Sequence, residues 1–294
     1  MVRLVLDTDI GSDVDDALAL AFCLRHPDID LAAVTTVADD TVWRARIAAK
    51  LLRIAGCQEI PVAPGVGWER SPSGRRSRWE HDSEGFADDS LEDFDLEGVE
   101  VIIQETKRAP TEVATIGMQS NVAAALQRDP TIVERIVRLD VMGGMFAPLD
   151  ARPPSGDHNL VVDPDASVRS LNAGIPTMYV PIDVTFRAQL PTSHREELRK
   201  GDELCRALAH LLDIWADASD PPDGVAAILH DPLLVSCTVD RRFVTSEVMP
   251  VTVVRHGDAC RTFVDPVVGH PCEVITSVDG PAFADFWLET VRSS

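Results

Sequence analysis

The chain opens on an apolar run, Leu4-Val5-Leu6, and continues after a polar break with Ala17 to Leu24, whose Ala and Leu content favours helix. A second pair follows: Leu31 to Val37 reads as a strand and Val42 to Ala55 as a helix stopped by Gly56. Further strands are predicted at Val113 to Ile116, Arg138 to Met142, Thr177 to Ile182, Val248 to Val254 and Cys272 to Ser277, with helical stretches such as Val122 to Gln127 between them. This rhythm predicts a single α/β domain in which a mainly parallel central sheet, Rossmann-like at its core, is flanked by helices. No internal repeat or linker divides residues 1 to 294. Sheets of this kind bind ligands in the crevice beyond the carboxyl ends of their strands. Two irregular segments, Gly65 to Phe86 and Phe146 to Gly156, interrupt the alternation and are candidates for binding loops.

With 45% hydrophobic and 26% charged residues, the chain can bury a large core. Its six cysteines, Cys23, Cys57, Cys205, Cys237, Cys260 and Cys272, form no CxxC pair, which points to buried free thiols rather than a zinc or redox site. A net charge of −21 opposes nucleic-acid binding, which needs cationic side chains against phosphates, and favours a small-molecule partner. No apolar run is long enough for a bilayer, and the N-terminus meets Asp7 too early for a secretory signal. A cytoplasmic protein with no membrane contact is the expectation.

The densest chemistry is Asp7-Thr-Asp9-Ile-Gly11-Ser-Asp13-Val-Asp15-Asp16, directly after the first strand. Burying such a concentration of carboxylates without a counter-charge costs several kcal/mol per ion, and a hard divalent cation with oxygen ligands is the simplest neutraliser. Gly11 allows a turn that brings Asp9 toward Asp15 and Asp16. An EF-hand is excluded, because counting from Asp7 its last required positions fall on Gly11, Ser12 and Leu18. A haloacid-dehalogenase-like phosphotransferase would use Asp7 as nucleophile. It wants a hydroxylic residue soon after Asp9 and a cationic partner from another strand end, whereas Ile10-Gly11 follows and the only lysines are Lys50, Lys107 and Lys200, none closing an apolar run. A solvated acidic turn without metal is the third alternative.

The segment resembles the N-terminal signature of nucleoside hydrolases, DxDxGxDDAxA, with two residues inserted so that Asp15-Asp16 take the acid pair and Ala17-Leu18-Ala19 follow. Thr35-Thr36-Val37-Ala38-Asp39-Asp40 resembles the family's TTVxGN, Ile116 to Asn121 its TGPLTN, and Val141-Met142-Gly143-Gly144 its MGG strand end. Asp157-His158-Asn159 is similar to its E-F-N triplet, and His230-Asp231-Pro232 to HDP, in the same order along most of the chain.

The resemblance implies a calcium-dependent N-glycoside hydrolase that splits a ribonucleoside into base and ribose. It implies Ca²⁺ ligation by Asp9, Asp16, Asp231 and the backbone carbonyl of Ile116, with Asp7 in support. Water and the ribose hydroxyls would complete the roughly six to eight oxygen ligands calcium takes. Asp15 is then the base for a calcium-bound water, and His230, beside a ligand, stands where it can protonate the departing base. Asn159 and Asp157 are expected at the sugar. Asp40, Met142, His158 and His81, the last in a stretch resembling the family's HGxxGL loop, are the other expected substrate contacts. The substitutions Asp39, Asp40, Asp157 and His158 imply altered sugar or base recognition. A homodimer or homotetramer is the implied assembly, and a silent sugar-binding relative is the remaining non-enzymatic alternative.

Overall fold

A computed structural model describes residues 1–69, 71–73, 86, 94–148, 157–219, 221–257 and 259–293. Its strands, in chain order, are β1 (Val2–Thr8), β2 (Ile29–Thr36), β3 (Val62–Pro64), β4 (Thr111–Thr115), β5 (Ile136–Met142), β6 (Thr177–Val180), β7 (Gln189–Pro191), β8 (Val225–Ile228), β9 (Val244–His256), β10 (Ala259–Val264) and β11 (His270–Val278). Nine of them form one sheet in the order β10-β9-β11-β6-β5-β4-β1-β2-β3, while β7 and β8 pair separately. From β11 to β3 every neighbouring pair is parallel. The outer strands β9 and β10 are antiparallel.

The helices are α1 (Asp15–Arg25), α2 (Thr41–Ile54), α3 (Gly98–Arg108), α4 (Ser120–Arg128), α5 (His158–Val161), α6 (Pro164–Leu171), α7 (Ile182–Thr185), α8 (Thr192–Leu198), α9 (Glu203–Ser219), α10 (His230–Val239) and α11 (Gly280–Arg292). Two apolar cores lie on opposite faces of the sheet. One joins α1, α2, α9, α10 and α11, and the other joins α3, α4 and α6. The central strands are covered on both sides, so β1 carries a continuous apolar run rather than an alternating one.

The expected α/β domain with its mainly parallel sheet is present. Three short strands, β3, β7 and β8, have no sequence counterpart above, since three or four residues are too few to show a period. The run Val248 to Val254 is the middle of the longer β9, which folds back through β10 as an antiparallel edge. Val180 ends β6, and Ile182, expected in that strand, opens α7 after Pro181. The cysteines are free thiols, five of them buried. Among the described residues, no helix is long and apolar enough to cross a membrane.

Helix α1 is buried from Asp15 through Cys23, and α11 holds it in place. Trp287 of α11 is fully buried, and its indole N–H donates to the Leu18 carbonyl at 3.2 Å. Trp287→Ala removes that bond and leaves a cavity against α1, so urea unfolding at pH 7 should show a loss of about 3–5 kcal/mol.

Candidate active site

The carboxyl ends of four adjacent strands open into one cavity of about 180 Å³. Asp9 follows β1, Ile116 follows β4, Met142 ends β5 and Ile182 stands just beyond β6, and all four line it. The first turns of two helices complete the acid wall, with Asp15 and Asp16 from α1 and His230 and Asp231 from α10. Ser12, Asp13, Asp157, His158 and Asn159 form the remainder.

Gly11 makes this convergence possible. Its φ of 109° lies in the left-handed region, and a Cβ there would sit 2.6 Å from the Trp43 ring. The tight turn returns the chain so that α1 starts at the acid pair. Helix N-termini present unpaired N–H groups and a positive dipole end, which favour carboxylates in the first turn. The two N-termini meet here, and the Asp231 backbone N–H donates to Asp15 Oδ2 at 3.3 Å.

Asp15, Asp16 and Asp231 are all buried, and each offers an oxygen within 4.8 Å of the others. Burial pushes all three carboxyls well above the usual carboxylate range, and repulsion from neighbouring acids, Asp9 and Asp13 included, adds to it. The Thr8 hydroxyl, donating to Asp16, opposes that shift for one of them. A divalent cation would relieve both burial and repulsion, so the donor set fits a hard metal. Asp9 lies in the same cavity wall but outside this compact group. Its carboxyl is also raised by burial, with Arg44 and His158 pulling the other way.

Arg44, an ordinary helix arginine when read from its neighbours in sequence, is the internal counter-charge. It is 1% exposed on α2. Its guanidinium donates to the carbonyls of Asp9, Ala38 (2.9 Å) and Ile10 (2.9 Å) and to Ser12 Oγ (3.0 Å), and it stands 3.5 Å from Asp39. One side chain thus ties the acidic turn to the turn after β2. There Ala38 and Asp39 take positive φ values of 74° and 49°, a conformation that suits the glycine of TTVxGN.

The other expected residues divide. Met142, Asp157, His158 and Asn159 are in the cavity wall. The Asn159 amide donates to the carbonyls of Ile116 (2.6 Å) and Met142 (3.2 Å), which ties two strand ends together and leaves its carbonyl oxygen for a ligand. Asp40 is instead the exposed N-cap of α2, accepting from Trp43 N at 3.0 Å, and lies outside the wall because capping directs it along the helix. Asp7 stands behind the acid ring rather than in it. It is wholly buried and accepts from Thr35 Oγ1 (2.6 Å) and Asn121 Nδ2 (2.7 Å), and burial raises its carboxyl to about 7. His81 lies outside the described residues.

A model of the family described as inosine-uridine preferring nucleoside hydrolase matches residues 4–285. The chain belongs to that family. The pyrimidine-specific ribonucleoside hydrolase RihA of Salmonella arizonae is 28% identical, over 98% of this chain and 98% of its own. The probable uridine nucleosidase 2 of Arabidopsis thaliana is 26% identical, over 79% of this chain and 76% of its own. A solved plant nucleoside hydrolase superposes with a TM-score of 0.84 at 24% identity, covering 100% of this chain and 99% of that one. As a nucleoside hydrolase the protein is an N-glycosidase, hydrolysing the bond between base and ribose of a ribonucleoside. The phosphotransferase alternative is not favoured, since its nucleophile Asp7 does not line the cavity.

Asp157 gives a pH prediction that needs no substrate. Burial raises its carboxyl to about 7, partly offset by the backbone N–H groups of Leu160, Gly144 and Asn159. A folded-state value above the unfolded one means stability is fully present below about pH 4 and is lost as pH rises through about 7. In chelator-treated protein, Asp157→Asn keeps the α5 cap and removes this loss. Denaturant unfolding between pH 4 and pH 8 should therefore show a decline smaller by roughly 2–4 kcal/mol than in the parent.

Proposed function

We propose that the protein hydrolyses ribonucleosides with calcium as its metal, Asp15 as the base and His230 as the group facing the leaving base. The meeting of Asp15, Asp16 and Asp231 at the carboxyl edge of the sheet carries this reading. Asp16 and Asp231 would hold the ion, with Asp9 and the Ile116 carbonyl as further donors and Asp7 behind them. Calcium bound there would acidify water and grip vicinal sugar hydroxyls.

Asp15 takes a proton from the attacking water while its Oδ2 is steadied by the Asp231 N–H. The water oxygen bonds the anomeric carbon, and the electron pair of the breaking C–N bond leaves with the base. Positive charge develops on the sugar, and acids fixed in advance around it stabilise that state. Asp157 and the free oxygen of Asn159 are the acceptors for sugar hydroxyls, with Met142 and His158 beside them. Burial lowers the His230 imidazole to about 4, so the ring facing the leaving base is neutral near pH 7.

Of the two sequence relatives one is named a probable uridine nucleosidase and the other a pyrimidine-specific ribonucleoside hydrolase, whereas a solved relative from Gardnerella vaginalis is purine-preferring. The substrate class proposed here is therefore the ribonucleoside, without a choice of base. The cytoplasmic location is the expectation from the sequence given above, and a homodimeric or homotetrameric assembly is what the family resemblance implies.

A panel of uridine, cytidine, inosine, adenosine, guanosine and modified ribonucleosides, assayed for reducing sugar, tests the reading. At least one should be cleaved, chelator should abolish turnover and added Ca²⁺ restore it. Asp15→Asn should lower kcat by about 10² to 10⁴. If no ribonucleoside is cleaved, or turnover survives both chelator and Asp15→Asn, the proposal fails.

A further inference from the structure

Arg44 reaches the acidic turn from outside the cavity wall, which it does not line. Its four hydrogen bonds go to oxygens without formal charge: the carbonyls of Asp9, Ile10 and Ala38 and the hydroxyl of Ser12. Among the described residues the one carboxylate paired with it is Asp39, at 3.5 Å, which is also absent from the wall. No backbone N–H of a described residue donates to the Asp9 or Ile10 carbonyl, so the arginine supplies what neither helix nor strand gives this stretch.

The stretch needs such a tie. Gly11 within it has a φ of 109°, and the two residues inserted relative to the nucleoside hydrolase signature fall between Gly11 and Asp15. Asp9 packs against Gly117, where a Cβ would stand 2.9 Å from both the Asp9 nitrogen and its Oδ1. Its carboxylate thus lies against the turn after β4, beside the Ile116 carbonyl, while its own carbonyl is in the grip of Arg44.

Arg44 acts on a cation in two opposed ways. Its positive charge, felt through space at Asp9 and Asp16, works against a divalent ion. Its hydrogen bonds fix the backbone from Asp9 to Ser12, which removes an ordering cost the ion would otherwise meet. Asp39 offsets the charge, whereas nothing replaces the four hydrogen bonds, so the second effect is the larger. We infer that Arg44 is a positioning residue of the metal site: it holds the Asp9–Ser12 turn before the ion arrives, so that a cation binds more tightly beside an arginine whose charge alone would weaken it. This rests on the calcium reading above, with Asp9 among the donors, and adds the group that sets Asp9.

Calorimetric titration of the chelator-stripped full chain with Ca²⁺ at pH 7 tests it. Arg44→Met and Arg44→Lys should each weaken binding roughly 10- to 100-fold, because methionine lacks every donor and lysine keeps the charge but has one nitrogen for four oxygens. In Asp9→Asn protein, adding Arg44→Met should weaken binding by less than about threefold more, since the arginine acts through Asp9. Tighter binding in Arg44→Met, or unchanged binding in Arg44→Lys, overturns the inference. An equal loss with and without Asp9→Asn marks a merely structural arginine and overturns it too. If the wild-type chain binds no Ca²⁺, the calcium reading itself falls. Hydrogen exchange of the stripped wild-type chain needs no variant to fold: amides from Ile10 to Val14 should exchange at nearly the same rate with and without Ca²⁺. Exchange that is fast until Ca²⁺ is added shows that the ion orders the turn, and overturns the role of Arg44.

Discussion

Mutual repulsion among buried carboxylates organises the carboxyl edge of this sheet. Asp15, Asp16 and Asp231 lie close enough to share one ion and are too buried for water to screen them. Their surroundings answer that repulsion at several points. The Asp231 N–H at the start of α10 donates to Asp15, Thr8 donates to Asp16, and Arg44 grips the carbonyls of the turn that leads to them. None of these groups supplies the two positive charges that a divalent ion would. The fold thus holds the acids in a geometry that an ion completes, and the same geometry sets Asp15 beside whatever that ion holds.

The glycosidic bond needs help at both of its ends. Negative groups around the sugar favour the positive charge that develops there, and a hydrogen-bond donor at the base favours its departure. On the proposed reading one cavity wall serves both tasks, with Asp15 and Asp16 at the start of α1 and with Asp231 beside His230 at the start of α10, where the imidazole packs against Thr185 and Phe186.

Much of this arrangement was legible in the sequence because chemistry at a strand end needs particular residue types. Apolar runs located β1, β2, β4, β5 and β6, and the acid pair after Gly11 marked the start of α1. Asp231, more than two hundred residues away, was recoverable only through the resemblance of His230-Asp231-Pro232 to a motif. Asp40 was read as a substrate contact because motif position says nothing of direction; the side chain caps α2 instead. Arg44 and Thr185 carried no signal, since an Arg in a helix and a Thr after a strand are ordinary until packing shows what each one faces. The antiparallel return of β9 through β10 was equally silent, because an apolar run does not declare which way its neighbour runs.

Calorimetric titration of chelator-stripped protein with Ca²⁺ at pH 7, beside thermal unfolding, tests the central claim most directly. The account predicts one ion bound per chain, a melting temperature that rises with Ca²⁺ concentration, and affinity weakened more than about 100-fold by Asp16→Asn. Absence of binding, or binding that survives both Asp16→Asn and Asp231→Asn unchanged, would contradict it.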